Sequence, residues 1–214
     1  MSSFVITVDG PAASGKGTIA ERLGMAYGLP VLDSGLLYRA VGVLLERAGG
    51  DLDDAAAATE AARSLGPHML DDPGFRTRSA GEAASRVAVH PAVREALLDL
   101  QYAFARQPGG AILDGRDMGT VVFPDAELKV FLTASPEIRA ERRYKQLIEK
   151  GIDANLRALS RDLRDRDERD AKRAVAPLVP APDSQVLDSS ALSIDEVVDR
   201  IVGWCRERKL GGRG

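Results

Sequence analysis

The stretch Gly10-Pro11-Ala12-Ala13-Ser14-Gly15-Lys16-Gly17-Thr18 constrains this chain more than any other. It stands directly behind the apolar run Phe4 to Val8 and ahead of a helical pattern carrying Ile19, Leu23 and Tyr27. Strand, glycine-rich loop, helix is the context a phosphate-binding loop requires. Glycines at 10, 15 and 17 let the backbone wrap with its N–H groups pointing inward. A helix opening near Gly15 adds the positive end of its dipole, and the two together hold phosphate oxygens. Lys16 would reach the terminal phosphates of a nucleoside triphosphate and follow charge as it moves. The motif departs from its common form at Gly17, where Ser or Thr usually follows the lysine. The hydroxyl comes one residue later, at Thr18, so either direct or water-mediated contact with Mg²⁺ is open to it.

The rest of the chain supports an α/β fold. Nearly continuous apolar runs at Phe4–Val8, Pro30–Leu32, Ala111–Asp114, Leu128–Thr133 and Gln185–Asp188 read as parallel strands buried on both faces. Helical spacing separates them, at Leu37, Val41, Leu44 and Ala48 and again at Val93, Leu97, Leu100 and Phe104. Pro91 and Pro136 stand at first helical positions, and Ser193 with Glu196 forms a capping box ahead of the last helix. Alternation of this kind predicts a five-stranded parallel sheet covered by helices. Gly66 to Ser79 shows little periodicity and reads as a surface connection, and Asp53 to Ala58 reads as low complexity. The closing Gly211 to Gly214 reads as frayed.

Composition excludes several functions. With 214 residues, 44% hydrophobic and 29% charged, the chain is globular in type. A formal net charge of −3 argues against a protein wrapped in nucleic acid. The lone Cys205, in an apolar helical stripe, permits no internal disulfide and fits a reducing, cytoplasmic compartment. His68 and His90 make no metal cluster, and Phe4–Val8 is far shorter than a bilayer span or a signal-peptide core.

A phosphate loop alone does not name a reaction. The single asparagine, Asn155, leaves no guanine-reading NKxD motif, and Asp114 runs into Gly115-Arg116 rather than the Asp-Glu of a hydrolase. Transfer to a second bound phosphate needs positive charge rather than a strong base. Arginines near strand ends therefore matter. Asp33-Ser34-Gly35 with Tyr38-Arg39 ends one strand, and taken alone Ser34 reads as a helix cap. Asp114 to Thr120 ends another strand, where parallel sheets bind ligands, although a polar turn with a surface Arg–Asp pair is the plainer reading. The segment 152–173 interleaves Arg157, Arg161, Arg164, Arg166, Arg169, Lys172 and Arg173 with acids. Pairs such as Arg161 and Asp165 suit an exposed helix, and a mobile lid bearing arginines is the sharper alternative.

These residues resemble the bacterial cytidylate (CMP) kinases over nearly the whole chain. The likeness is carried by DGPAASGKGT from Asp9, LDSGLLYR from Leu32, AASRVAVHPAVREALL from Ala83, LDGRDMGTVVFPDA from Leu113, RDERDAKRAVAPL from Arg166 and VLDSS from Val186. The GKGT ending is itself the variant of nucleoside monophosphate kinases. The resemblance implies a monomeric nucleoside monophosphate kinase moving the γ-phosphoryl group of ATP to CMP or dCMP, with Mg²⁺ required. It implies one P-loop domain with a core of 1–32, 108–150 and 174–214, a monophosphate-binding region of 33–107 and a lid of 151–173. It further implies that Ser34, Arg39, Arg116 and Arg173 hold the acceptor phosphate, that Ser85, Arg94 and Asp117 read cytosine, and that Arg166 and Asp170 belong to the lid, Asp170 at the sugar hydroxyls. Cytosine fits those readers: Asp117 can accept from the N4 amine and Arg94 can donate to N3 and O2, whereas uracil reverses the polarity. Long members carry a β-structured insert that Leu65 to Arg78 is too short to hold. Another small P-loop kinase, acting on a metabolite such as shikimate, is the nearest rival. A nucleic-acid-binding protein using residues 157–173 is a second, weakened by the interleaved acids and the lack of stacking aromatics.

Overall fold

A computed structural model of the chain describes residues 3–66 and 69–211. His68 and Gly212 to Gly214, named above, lie outside the described residues. The strands are β1 (Phe4–Asp9), β2 (Val31–Asp33), β3 (Gly110–Gly115), β4 (Leu128–Thr133) and β5 (Gln185–Asp188). They form one sheet in the order β2-β3-β1-β4-β5, and β1 pairs in parallel with β3 and β4, as β4 does with β5. The fold class expected from the alternation is the one observed. Each predicted strand is present, shifted at its ends by no more than two residues. The chain forms two compact units, Met1–Val31 with Pro108–Gly214 and Leu32–Gln107.

In the larger unit the core gathers Ile6 and Val8 of β1, Ile112 of β3, Val130 and Leu132 of β4 and Leu187 of β5. Against them pack Ile19, Ala20 and Leu23 of α1 (Lys16–Tyr27) and Val197, Ile201 and Cys205 of α8 (Ile194–Glu207). Cys205 is fully buried, as its stripe predicted. The Ser193–Glu196 capping box closes both ways, with Glu196 N–H donating to Ser193 Oγ at 3.2 Å and Ser193 N–H to Glu196 Oε2 at 2.8 Å. Register sets Asp9 of β1 level with Gly115 of β3, so the phosphate loop and the Arg116–Asp117 turn leave the sheet at the same height. Between β4 and β5 run α6 (Pro136–Glu149), with Pro136 at its first position behind the cap Ser135, and α7 (Leu156–Lys172), capped by Asn155. Among the described residues no helix is long and apolar enough to cross a membrane.

The smaller unit is helical: α2 (Ser34–Arg47), α3 (Ala55–Arg63), α4 (Arg78–Val87) and α5 (Pro91–Ala105). Two sequence expectations need correction here. Asp54 accepts from the N–H groups of Ala56 and Ala57, and the alanine tract read as low complexity is helix α3. Nor is the connection 66–79 only surface. A 3₁₀ turn at Pro73–Arg76 buries Phe75 to 1% exposure beneath the Arg47 guanidinium, 5.7 Å from the ring centroid, and Arg47 also pairs with Asp72 at 2.5 Å. One aromatic with a cation over it anchors a segment that periodicity cannot detect.

Candidate active site

The phosphate loop leaves β1 in a conformation that few residues tolerate. Gly10 has φ 151°, Ala13 φ 60° and Gly15 φ 95°. A Cβ on Gly10 would fall 2.0 Å from the Leu132 carbonyl oxygen, so the loop crosses the end of β4 with no room for a side chain. At Gly15, just ahead of α1, a Cβ would meet nothing within 4 Å, so only the positive φ calls for glycine there. Ser14 is buried, and its Oγ has no protein hydrogen bond. Lys16 reaches back to donate to Pro11 O at 3.2 Å. A glycine-bearing loop at a helix head, with a lysine and a buried hydroxyl that has no protein partner, suits a polyphosphate.

Two arginines of α6, which the sequence reading passed over, brace the loop from behind. Arg139, 3% exposed, donates to Ala134 O at 2.9 Å, to Ala12 O at 3.1 Å and to Asp167 of α7 at 2.6 Å. Arg142 donates to Ser14 O at 3.2 Å, to Ser189 Oγ at 3.0 Å and to Ser189 O at 2.7 Å. With their carbonyls turned outward to these guanidiniums, Ala12 and Ser14 are held with a fixed peptide orientation. In the sequence both arginines sit in the run Arg139-Ala140-Glu141-Arg142-Arg143, which reads as a solvated charged face.

At the end of β3 the plain surface-pair reading is replaced. Arg116 forms an ion pair with Asp170 of α7, and neither side chain is exposed. Arg166 lies 4.0 Å from the same carboxylate, and Arg173 Nε donates to the Asp170 carbonyl at 3.4 Å. Burial pushes the Asp170 carboxyl up, but Arg116, Arg173 and Arg166 outweigh it and hold it below its ordinary range. Burial likewise opposes the charge on Arg116, yet Asp170, Asp167 and Asp114 raise its pKa on balance. Thus Arg116, Arg166, Asp170 and Arg173 of the expected set come together in one place. Asp117 follows Arg116 and is 3% exposed. Asp9 has both oxygens committed to the turn behind it, accepting from Met118 N–H at 2.9 Å and Gly119 N–H at 2.7 Å. Burial raises the Asp9 pKa to about 6, against the pull of those two amides, with Asp117 adding to the rise and Lys16 opposing it.

The smaller unit carries the remaining candidates. Ser34 is not the cap of α2; Asp33 is, accepting from Leu36 N–H at 3.2 Å, and Ser34 is a buried first-turn residue. Asp33 takes the capping bond because it is the last residue with extended backbone (φ −78°, ψ 97°) before the helix, the conformation that brings a side-chain oxygen onto the first-turn N–H groups. Arg39 donates to Thr77 O at 3.1 Å, tying α2 to the start of α4. Ser85 lies buried on α4, which approaches α2 so closely that a Cβ on Gly42 would meet Ala83 Cβ at 2.7 Å. Arg94 of α5 is 7% exposed, donates to Ala88 O at 3.4 Å and stacks over the Tyr38 ring at 5.5 Å. His90 Nε2 lies 3.0 Å from Leu52 O, tying the start of α5 to the segment before α3.

The family model described as cytidylate kinase matches residues 6–207. Curated proteins of that name from Xanthobacter autotrophicus and a Caulobacter species are 56% and 54% identical to this chain. The first alignment covers 97% of this chain and all of the relative, the second 96% and 97%. Among solved structures, a sugar kinase from a Janibacter species aligns over the full length of both chains with a TM-score of 0.54 at 15% identity. A gluconokinase from Sinorhizobium meliloti aligns at 0.51, also at 15%, over 97% of this chain and 94% of its own. The structural likenesses speak for the fold alone. The family match and the relatives, spanning the loop, the β3 turn and α7 alike, go further: the chain belongs to the cytidylate kinases, a family of ATP-dependent nucleoside monophosphate kinases.

Proposed function

We propose that this chain carries out its family's reaction by direct in-line transfer, moving the γ-phosphoryl group of ATP onto the phosphate of CMP or dCMP with no covalent enzyme intermediate. The observation that carries the reading is the pairing, in one unit, of a phosphate loop with a guanidinium cluster. Two nucleotide anions repel, and catalysis of their encounter rests on placing fixed positive charge around the reacting oxygens. In this reading Gly10 to Thr18 hold the ATP phosphates, and Lys16 follows the transferring group. Arg116, Arg166 and Arg173 surround the group in flight, with Ser34 and Arg39 on the acceptor phosphate. Ser85, Arg94 and Asp117 read the base and Asp170 the ribose.

A bound Mg²⁺ would supply further positive charge to the phosphates. The donors this end of the loop offers are hard oxygens, the exposed Thr18 hydroxyl and the Asp114 carboxylate beside Gly17, and both fit it. Every residue named lies on one chain, so a monomer suffices, and a reducing cytoplasm suits the buried Cys205 thiol.

Coupled release of ADP across CMP, dCMP, UMP, AMP and non-nucleotide acceptors tests the reading. CMP and dCMP should turn over at least tenfold faster per unit KM than UMP. Robust turnover with a non-nucleotide acceptor alone would overturn it.

A further inference from the structure

The turn that follows β3 is held by a residue of another strand. Met118–Val122 is a single wide helical turn, closed by Val121 N–H and Val122 N–H on Asp117 O at 2.9 and 3.2 Å and by Phe123 N–H on Met118 O at 2.6 Å. Its first N–H groups, on Met118 and Gly119, have no partner within the turn. Asp9 takes both, one per carboxylate oxygen, although it stands more than a hundred residues earlier in the chain. The turn is also packed tightly on the sheet. A Cβ on Gly119 would meet Thr7 Oγ1 at 2.8 Å and the Lys129 stem at 3.2 Å. Asp9 therefore clamps the Asp117–Met118–Gly119 backbone, and Thr7 of β1 and Lys129 of β4 crowd the same turn at Gly119.

The clamp fixes one torsion in particular. The Met118 N–H belongs to the peptide plane that leaves Asp117, so holding it sets ψ of Asp117, which is 20° at φ −144°, outside the helical and extended regions. That torsion aims the Asp117 side chain. The arrangement is costly, since Asp9 is buried with Asp117 nearby, and its two amide bonds offset part of that cost.

We propose that Asp9 is a positioning residue for base selection: by clamping the amides of Met118 and Gly119 it aims Asp117, and so sets the preference for cytosine over uracil. This rests on the reading of Asp117 as a base reader. Asp9 touches neither nucleotide in this account and acts only through the turn.

The test is steady-state kinetics of the full-length chain as Asp9→Asn and, separately, Asp117→Ala, with CMP, UMP and ATP each varied. Asparagine keeps the shape but presents an NH₂ group to one of the two N–H donors. Asp9→Asn is expected to lower kcat/KM for CMP by about ten- to a hundredfold, chiefly through KM. UMP should lose less than about threefold and KM for ATP should stay within about threefold, so the CMP/UMP ratio falls as it does in Asp117→Ala. A ratio that collapses in Asp117→Ala but holds in Asp9→Asn would overturn the proposal and leave the base reading standing. An unchanged ratio in Asp117→Ala would remove the base reading, and the proposal with it. Should Asp9→Asn not fold, the unaltered chain still decides: saturating CMP should shift the Asp9 carboxyl carbon resonance and saturating UMP should shift it less, and equal responses would overturn the proposal.

Discussion

Arg116 of the β3 turn and Asp170 of α7 form an ion pair with both side chains withdrawn from water, 16% and 3% exposed. A buried pair of this kind adds little over an apolar one, but removing one partner leaves the other charge uncompensated. Asp170→Ala should therefore cost about 3–5 kcal/mol in unfolding free energy, measured in urea, along with most CMP turnover. A loss under about 1 kcal/mol would show that Arg116 finds other compensation. The paired Asp170 carboxyl is held below its unfolded value, so its share of stability is present above the ordinary aspartate range and is lost as pH falls below it.

Gly10 and Gly17 belong to the same motif but are glycine for different reasons. At Gly10 a Cβ would lie 2.0 Å from Leu132 O on a backbone at φ 151°, while at Gly17 the nearest atom would be Asp114 Oδ2 at 3.5 Å, an ordinary contact. Gly10→Ala should displace the loop, cost more than about 3 kcal/mol and abolish ATP binding by calorimetry. Gly17→Ala should fold as well as the parent or up to about 1 kcal/mol better, since alanine favours helix over glycine. Equal melting temperatures for the two variants would show that the loop does not press on β4.

Lys16 donates to its own loop, at Pro11 O, and is half-exposed. Lys16→Ala should keep its melting temperature within a few degrees and lose about 10³-fold or more in kcat. Near-normal turnover would contradict the assignment of this lysine to the transferring phosphoryl group.

How much of this was legible in the sequence depends on whether a residue's role is local. The loop, the β1 strand and the Ser193–Glu196 box are short-range devices, and each stands where its pattern places it. Helix α4 buries Ala80, Ala83, Ala84 and Val87, a face of mostly small residues that a search for large apolar side chains passes over. Ser34 and Asp33 are both competent caps, and only the backbone before α2 decides between them. Arg139 and Arg142 look like any helix-surface arginines until Ala12, Ser14 and Asp167 are brought against them from 127, 128 and 28 residues away. Asp9 was visible as a letter next to the motif, but its two amide partners come from the far side of β3. Long-range partnerships of this kind have no periodicity to read.

Asp9 yields a prediction whose sign runs against the usual carboxylate. Burial lifts its pKa from 3.8 to about 6, with Asp117 adding to the lift and Lys16 and the Met118 and Gly119 amides resisting it. Between those values the native state holds a proton that the unfolded chain has lost. Stability from this group is therefore complete below about pH 4 and disappears as pH rises through 6, by an amount of about 3 kcal/mol for a shift of that size. Asp53, Asp72, Asp170, Asp183, Asp188, Glu168 and Glu196 are all shifted downward and act in the opposite sense, but at lower pH. Urea unfolding of the parent and of Asp9→Asn at pH 4.5 and 6.5 isolates the group. The parent should lose more stability than the variant over that rise, and parallel curves would mean that Asp9 titrates as an ordinary, solvated aspartate.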